Sequence, residues 1–251
     1  MTEHFTHTDY EHIAEHYDTH RAQWEIPRDD LVASLAADGP IIAIDIGCGT
    51  GLYLEKQAQE LTGLPISLVG IDPSAAMLRG AASKHGPARY VNGIAEALPF
   101  SDRCADYVHS SYVYHHFSDK EAALDEMCRV LRGPGCIRIV DIEPWSMPNW
   151  WVYEFFPETV ELDHSRFKQV DWLTTALERR GLVAEARVER ATTMLKLDDA
   201  LTESESRTIS QHASIDDSAY RRGVERLRAF ARDHTEIERQ SAVLFLTARK
   251  T

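Results

Sequence analysis

The chain has 251 residues, with 40 acidic against 27 basic side chains and a formal net charge of -13. That length suits one α/β domain with an elaboration and allows a sizeable core, while the acidic excess argues against nucleic acid or an anionic membrane as partner, since phosphates would be repelled. No apolar run of about 18 residues and no charged n-region followed by an apolar stretch occurs, so the expectation is a cytoplasmic protein that does not span a membrane.

Residues 9–22 have helical spacing, with Thr8 or Asp9 as cap and Tyr10, Ile13, Ala14, Tyr17 and Arg21 on one face. His12, His16 and His20 recur at four-residue intervals on the same stretch, but no acidic or Cys cluster completes a ligand set, and no metal is expected. Residues 41–46 then form an apolar, β-branched run that breaks into Gly47, Gly49 and Gly51, which reads as a buried strand entering a tight turn. Residues 52–61 return to helical spacing. A second β run, residues 65–72, ends in Asp72, 21 positions beyond Gly51. An acid about 20 residues after a glycine loop, at a strand end, is placed to accept hydrogen bonds from a ribose diol.

Residues 104–111 read as a further strand, followed by Tyr112 and by His115-His116 in a turn. Ligands of open α/β sheets sit outside the carboxyl ends of the strands, so Ser110, Ser111 and Tyr112 are expected to face a ligand. His115 or His116 is a candidate general base, or else pins the turn by hydrogen bonds. Residues 120–131 form an amphipathic helix ending at Gly133-Pro134-Gly135, before a strand over residues 136–144 in which Asp141 or Glu143 is placed to meet a substrate proton. The four cysteines, Cys48, Cys104, Cys128 and Cys136, lack C-x-x-C spacing and read as reduced core residues.

Six aromatics crowd residues 145–156, among them Trp145 and Trp150; they roof a substrate or fill core. Residues 165–181 read as one helix, residues 183–188 and 242–248 as closing strands, and residues 218–227, within the segment 206–230 of a long insertion, as helix. Ser210, Gln211 and His212 lie in that insertion, where spacing assigns them no role.

Five segments together carry a resemblance. Asp45-x-Gly47-x-Gly49-x-Gly51 resembles motif I of the class I S-adenosylmethionine-dependent methyltransferases of small-molecule type, and Ile71 to Leu78 resembles motif II. Residues 89–100 are similar to the family's Gly-Asp-Ala-Glu-x-Leu-Pro-Phe segment, with Ile94 in place of the Asp that meets the adenine amino group. Residues 104–117 are similar to its Phe-Asp-x-Val-x-Ser strand and His-His-Phe turn, and residues 126–135 to its Arg-Val-Leu-Lys-Pro-Gly-Gly segment. Tyr17-Asp18-x-x-Arg21 resembles the Tyr-Asp-x-x-Arg element of an N-terminal lid.

The resemblance implies an α/β, Rossmann-like fold: a seven-stranded, mostly parallel sheet with the last strand antiparallel, helices on both faces and helical cap insertions. It divides a single domain, 1–251, into a lid (1–30), a cofactor-binding core (41–144) and substrate-cap insertions (145–165 and 190–241). The implied cofactor is S-adenosyl-L-methionine, leaving as S-adenosyl-L-homocysteine. Tyr17, Arg21, Asp45, Gly47, Cys48, Gly49, Gly51, Asp72, Pro73, Ile94, Ala95, Ser110 and Ser111 would contact it, and Met77 would line the adenine pocket or belong to the core. His115, His116 and Glu143 are the catalytic candidates; Tyr10, Tyr112, Trp145, Trp150 and His212 are the substrate candidates. The implied activity is in-line methyl transfer to an O or N atom of a small molecule, with no nucleic acid or membrane partner and a homodimer left open. A non-catalytic cofactor-binding protein, a cofactor-bound enzyme of other chemistry such as cyclisation, and an RNA methyltransferase are the alternatives, the last disfavoured by the acidic charge.

Overall fold

Ile41–Ile46 form β1, an almost wholly buried strand whose Ile-rich run suits the middle of a sheet covered on both faces. The computed structural model describes Asp18 and residues 40–63, 65–207 and 209–250. From β1 the chain passes through α1 (Leu52–Glu60) to β2 (Ile66–Asp72), then through α2 (Ala75–Ser83) to β3 (Arg89–Asn92). β4 (Ala105–Ser111) leads through a single 3-10 turn and α3 (Lys120–Val130) into β5 (Leu131–Ile142). A second 3-10 turn, α4 (Trp151–Phe155), α5 (Glu158–Arg166) and α6 (Val170–Glu178) precede β6 (Val183–Lys196). Finally α7 (Leu197–Glu205), α8 (Ser210–Ser214) and α9 (Asp217–Phe230) lead to β7 (Glu236–Lys250).

The strands make one seven-stranded sheet in the order β3-β2-β1-β4-β5-β7-β6. β1, β2, β3, β4 and β5 pair in parallel, and β7 runs antiparallel to its neighbours, as the resemblance implies. Because the order reverses direction at β1, the crevice beyond the carboxyl ends of β1 and β4 is the topological switch point at which ligands of such sheets bind.

Several boundaries differ from the sequence expectation. Gly133-Pro134-Gly135 does not follow the helix as a terminator but lies inside β5, where the pairing with β4 jumps from Ala105↔Leu131 to Tyr107↔Cys136. A Cβ on Gly135 would lie 2.5 Å from the Arg132 carbonyl oxygen, so glycine permits this irregularity. The helix expected over 165–181 is two, α5 and α6, separated where buried Phe167 turns extended. The helix expected over 218–227 is present and longer, as α9; Asp216 caps it, its carboxylate accepting from the Ser218 and Ala219 amides, and the short α8 precedes it. Both closing strands run well past the expected ends.

The chain forms two compact units. Among the described residues, the first takes those up to Asp141, 170–187 and those from Phe245 onward; the second takes those within 142–169 and 188–244. Ala43, Leu54, Leu61, Leu68 and Tyr107 lie at the centre of the first. In the second, Trp151, Val152, Phe156, Leu197 and Leu227 pack together. Among the described residues no helix is long and apolar enough to cross a membrane.

Candidate functional site

In the first unit, Gly47, Gly49 and Gly51 all have positive φ, 74°, 53° and 72°. A Cβ on Gly47 would lie 2.6 Å from both Val113 methyl groups, and one on Gly51 would lie 2.5 Å from the Tyr90 hydroxyl. Backbone conformation and space both demand glycine here. The loop is locked to the end of β2: Gly47 and Cys48 amides donate to the Ile71 carbonyl at 2.7 and 3.0 Å. The Asp72 carboxylate accepts from the Gly49 amide at 2.9 Å through Oδ2 and from the Ser74 amide at 2.9 Å through Oδ1. Asn92 donates to the Asp72 and Pro73 carbonyls, fixing the same corner from β3.

Below the loop, Asp45 and His109 are direct partners across β1 and β4, with His109 Nδ1 3.1 Å from Asp45 Oδ1. The His109 ring stacks on Tyr53 at 3.9 Å. Nothing in the sequence reading singled out His109; the parallel register supplies the pairing. Burial, then the charges of Asp45 and Asp72, push the Cys48 thiol far above its ordinary range and leave it neutral. Asp18 accepts a hydrogen bond from the Thr50 hydroxyl and pairs with Lys84 at 2.6 Å, so the Tyr-Asp-x-x-Arg element has its acid on the glycine loop. Tyr10, Tyr17 and Arg21, like His12, His16 and His20, lie outside the described residues.

At the carboxyl end of β4, the Ser110 hydroxyl is fully buried with no hydrogen-bond partner among the described residues. Ser111 is half-buried, and Tyr112 adopts φ 54°, a left-handed conformation unfavourable for an aromatic residue. Its amide donates to the Val140 carbonyl at 2.7 Å, which holds the strained residue at the strand end. His115 Nδ1 lies 2.9 and 3.0 Å from the two oxygens of Asp141, and both residues are buried. The His116 ring lies 4.0 Å from that of His115. Lys120 Nζ donates to the His115 and Phe117 carbonyls, so the turn is pinned. Ala95 and Met77 are buried, Pro73 is exposed, and Ile94 is 49% exposed, so an apolar side chain stands open to solvent in place of the acid usual there.

Glu143, Trp145, Trp150 and His212 belong to the second unit. Glu143 is 5% exposed, and its Oε2 has no hydrogen-bond partner among the described residues. Trp145 stacks on His164 at 5.1 Å, and Trp150 meets Tyr153 edge-on at 5.2 Å. Tyr153 donates to Asp163 at 2.8 Å; Arg166 and Gln211 also bond to that carboxylate. His212 is wholly buried against Phe156, at 4.1 Å, with neither ring nitrogen hydrogen-bonded among the described residues. Burial, assisted by the Arg207 charge, pushes its pKa down to about 3 and keeps it neutral.

A family model described as a methyltransferase domain matches residues 44–139. The malonyl-[acyl-carrier protein] O-methyltransferase of Pseudescherichia vulneris is 31% identical over 139 residues, 54% of this chain and 53% of that protein. The demethylmenaquinone methyltransferase of Shouchella clausii is 28% identical over 157 residues, 58% of this chain and 66% of that protein. The match thus spans about half to two thirds of the length of these curated relatives. Among solved structures, an Anabaena variabilis protein described as an antibiotic-pathway methyltransferase superposes with a TM-score of 0.65 at 24% identity, over 86% of this chain and 94% of the other, a likeness of fold. The segment that holds the glycine loop, Asp72 and the His115 turn is therefore similar to a methyltransferase domain, on a fold shared with methyltransferase structures.

Proposed function

We propose that the chain is an S-adenosylmethionine-dependent methyltransferase acting on an oxygen or nitrogen atom of a small molecule. The observation that carries this reading is the 2.9 Å bond from the Gly49 amide to Asp72, which joins the bare backbone loop and a ribose-binding carboxylate into one cradle. The cradle fits an adenosyl group. Glycine-only backbone at Gly47 and Gly51 allows close approach, Asp72 stands at the strand end beside the loop where a carboxylate meets a ribose diol, and the Ser110 hydroxyl is buried without a hydrogen-bond partner among the described residues. S-adenosylmethionine supplies, when bound, a methyl group already activated by its sulfonium.

The protein's own contribution is alignment, exclusion of water and a base. Because the Asp141 carboxylate only accepts, His115 donates from Nδ1, and this tautomer puts the basic lone pair on Nε2. His115 then takes the proton of an acceptor O–H or N–H group, and Asp141 stabilises the imidazolium that results. The net charge of -13 favours a neutral or cationic acceptor over an anionic one. The two curated relatives are named for acceptors as unlike as a carrier-bound malonyl group and a demethylmenaquinone, so the O or N choice rests on the His115 base, which transfer to either atom can use.

Calorimetric titration with S-adenosylmethionine, S-adenosylhomocysteine and NAD, run side by side, tests the cofactor reading. Binding of the two sulfur compounds without NAD is expected; binding of NAD alone, or of none, overturns it. Release of S-adenosylhomocysteine in the presence of small hydroxyl or amine acceptors then tests methyl transfer.

A further inference from the structure

The second unit contains two buried carboxylates in different circumstances. Asp163 is fully served: Arg166 reaches it at 2.6 Å, Tyr153 at 2.8 Å and Gln211 at 3.0 Å. Glu143 is not. It enters no ion pair among the described residues, its Oε2 is shielded and unbonded, and Arg190, which reaches the neighbouring Ser146 hydroxyl at 2.7 Å, makes no pair with it. A carboxylate taken out of water without a donor is unfavourable, and the deficit is met when a ligand brings the positive charge.

The surroundings suit an organic cation. The backbone of Glu143 is fixed at both ends, its amide donating to the Ala242 carbonyl at 3.0 Å and its carbonyl accepting from the Ser146 amide at 3.3 Å. The turn that follows carries the half-buried rings of Trp145 and Trp150, and reaches solvent at Pro148 and Asn149. Trp145 lies against α5 through His164, and Trp150 lies against Tyr153, the phenol that donates to Asp163. Glu143 is close enough to Tyr153 for its charge to help raise that phenol's pKa, after burial and Asp163. Indole faces attract ammonium groups, and a carboxylate supplies the counter-charge.

We propose that Glu143 seats an organic ammonium group, so that the small molecule taken by this unit is an amine recognised through its positive charge. That an amine binds follows from the second unit alone; that it is the methyl acceptor rests on the methyl-transfer reading above. The role differs from proton abstraction: Glu143 holds a cation and takes no proton.

The test is calorimetry with 2-phenylethylamine, putrescine and ethanolamine against 2-phenylethanol, 1,4-butanediol and ethylene glycol, at neutral pH on the whole chain. The wild-type protein is expected to bind at least one amine 10-fold or more tighter than its matched alcohol, and Glu143→Gln to bring that pair within twofold. Absence of a charge preference in the wild-type protein overturns the proposal, and so does a preference that survives in Glu143→Gln. The wild-type comparison decides the matter even where the variant does not fold. Titration of the same preparations with S-adenosylmethionine separates the two readings: cofactor binding without amine preference sinks only the amine site, and amine preference without cofactor binding sinks only methyl transfer.

Discussion

The imidazole of His115 donates from Nδ1 into the Asp141 carboxylate, at 2.9 and 3.0 Å from its two oxygens, while the His115 backbone amide reaches the same carboxylate at 3.2 Å. One acid thus fixes both the position of the turn and the tautomer of the ring. Asp141→Asn keeps the shape but offers an amide that can donate, so the tautomer is no longer imposed. Turnover is expected to fall about 100-fold, the lower range for a positioned base, with S-adenosylmethionine affinity changed by less than about twofold, since no cofactor contact is removed. Initial rates of S-adenosylhomocysteine release, with calorimetry on the same variant, check both halves.

Asp72 joins the glycine loop to the start of α2 through two amide bonds, besides the ribose contact proposed for it. Asp72→Ala is expected to weaken S-adenosylmethionine binding by about 1.5 to 3 kcal/mol, the range for hydrogen bonds to a charged group. Calorimetry reads the affinity and circular dichroism the retained fold. An unchanged dissociation constant would remove Asp72 from the ribose site.

Gly47 faces two separable obstacles to a side chain: φ of 74° and a projected 2.6 Å approach to Val113. Gly47→Ala is expected to cost about 1 to 2 kcal/mol for the left-handed backbone and about 1 to 3 kcal/mol more for the crowding. Adding Val113→Ala removes the second cost and leaves the first, so the double variant should be more stable than additivity predicts. Urea unfolding of the two single variants and the double variant measures the coupling.

His212 supplies a pH dependence with a definite sign. Its folded pKa, about 3, lies below the ordinary value near 6.5, so the unfolded chain binds the extra proton between those limits. The stability contributed by the neutral ring is whole above about pH 6.5 and declines as pH falls toward 3, by about 1.4 kcal/mol per unit at most. His212→Phe is expected to flatten that part of the profile, as measured by urea unfolding from pH 7.5 to 5.

What was legible in the sequence follows from how strongly each residue's environment is local. The run Ile41 to Ile46, the three glycines and the Asp72 strand end carry their own signals, because buried parallel strands and positive φ constrain residue type directly. The pairing of His115 with Asp141, and of His109 with Asp45, depends on register between strands distant in sequence, which periodicity along one strand does not encode. Asp141 was visible as an acid near a strand end, without its partner. β6 outran its expected end because it lies at the sheet edge and is exposed over most of its length, so the polar and apolar alternation that marks a half-buried strand is missing from residues 189–194. The helix expected across 165–181 failed at Phe167, where burying one ring mattered more than helical propensity.

The chain leaves its first unit after Asp141, returns for Val170–Arg187, leaves again, and returns at Phe245. For an engineer this is a natural partition. Gly47, Gly49, Gly51, Asp72, His115 and Asp141 fall within one unit, while Glu143, Trp145, Trp150 and His212 fall in two contiguous stretches of the other. Randomising exposed positions in 142–169 and 188–244 alone would probe the amine site proposed at Glu143 while the glycine loop, Asp72 and the His115 and Asp141 pair keep their sequence.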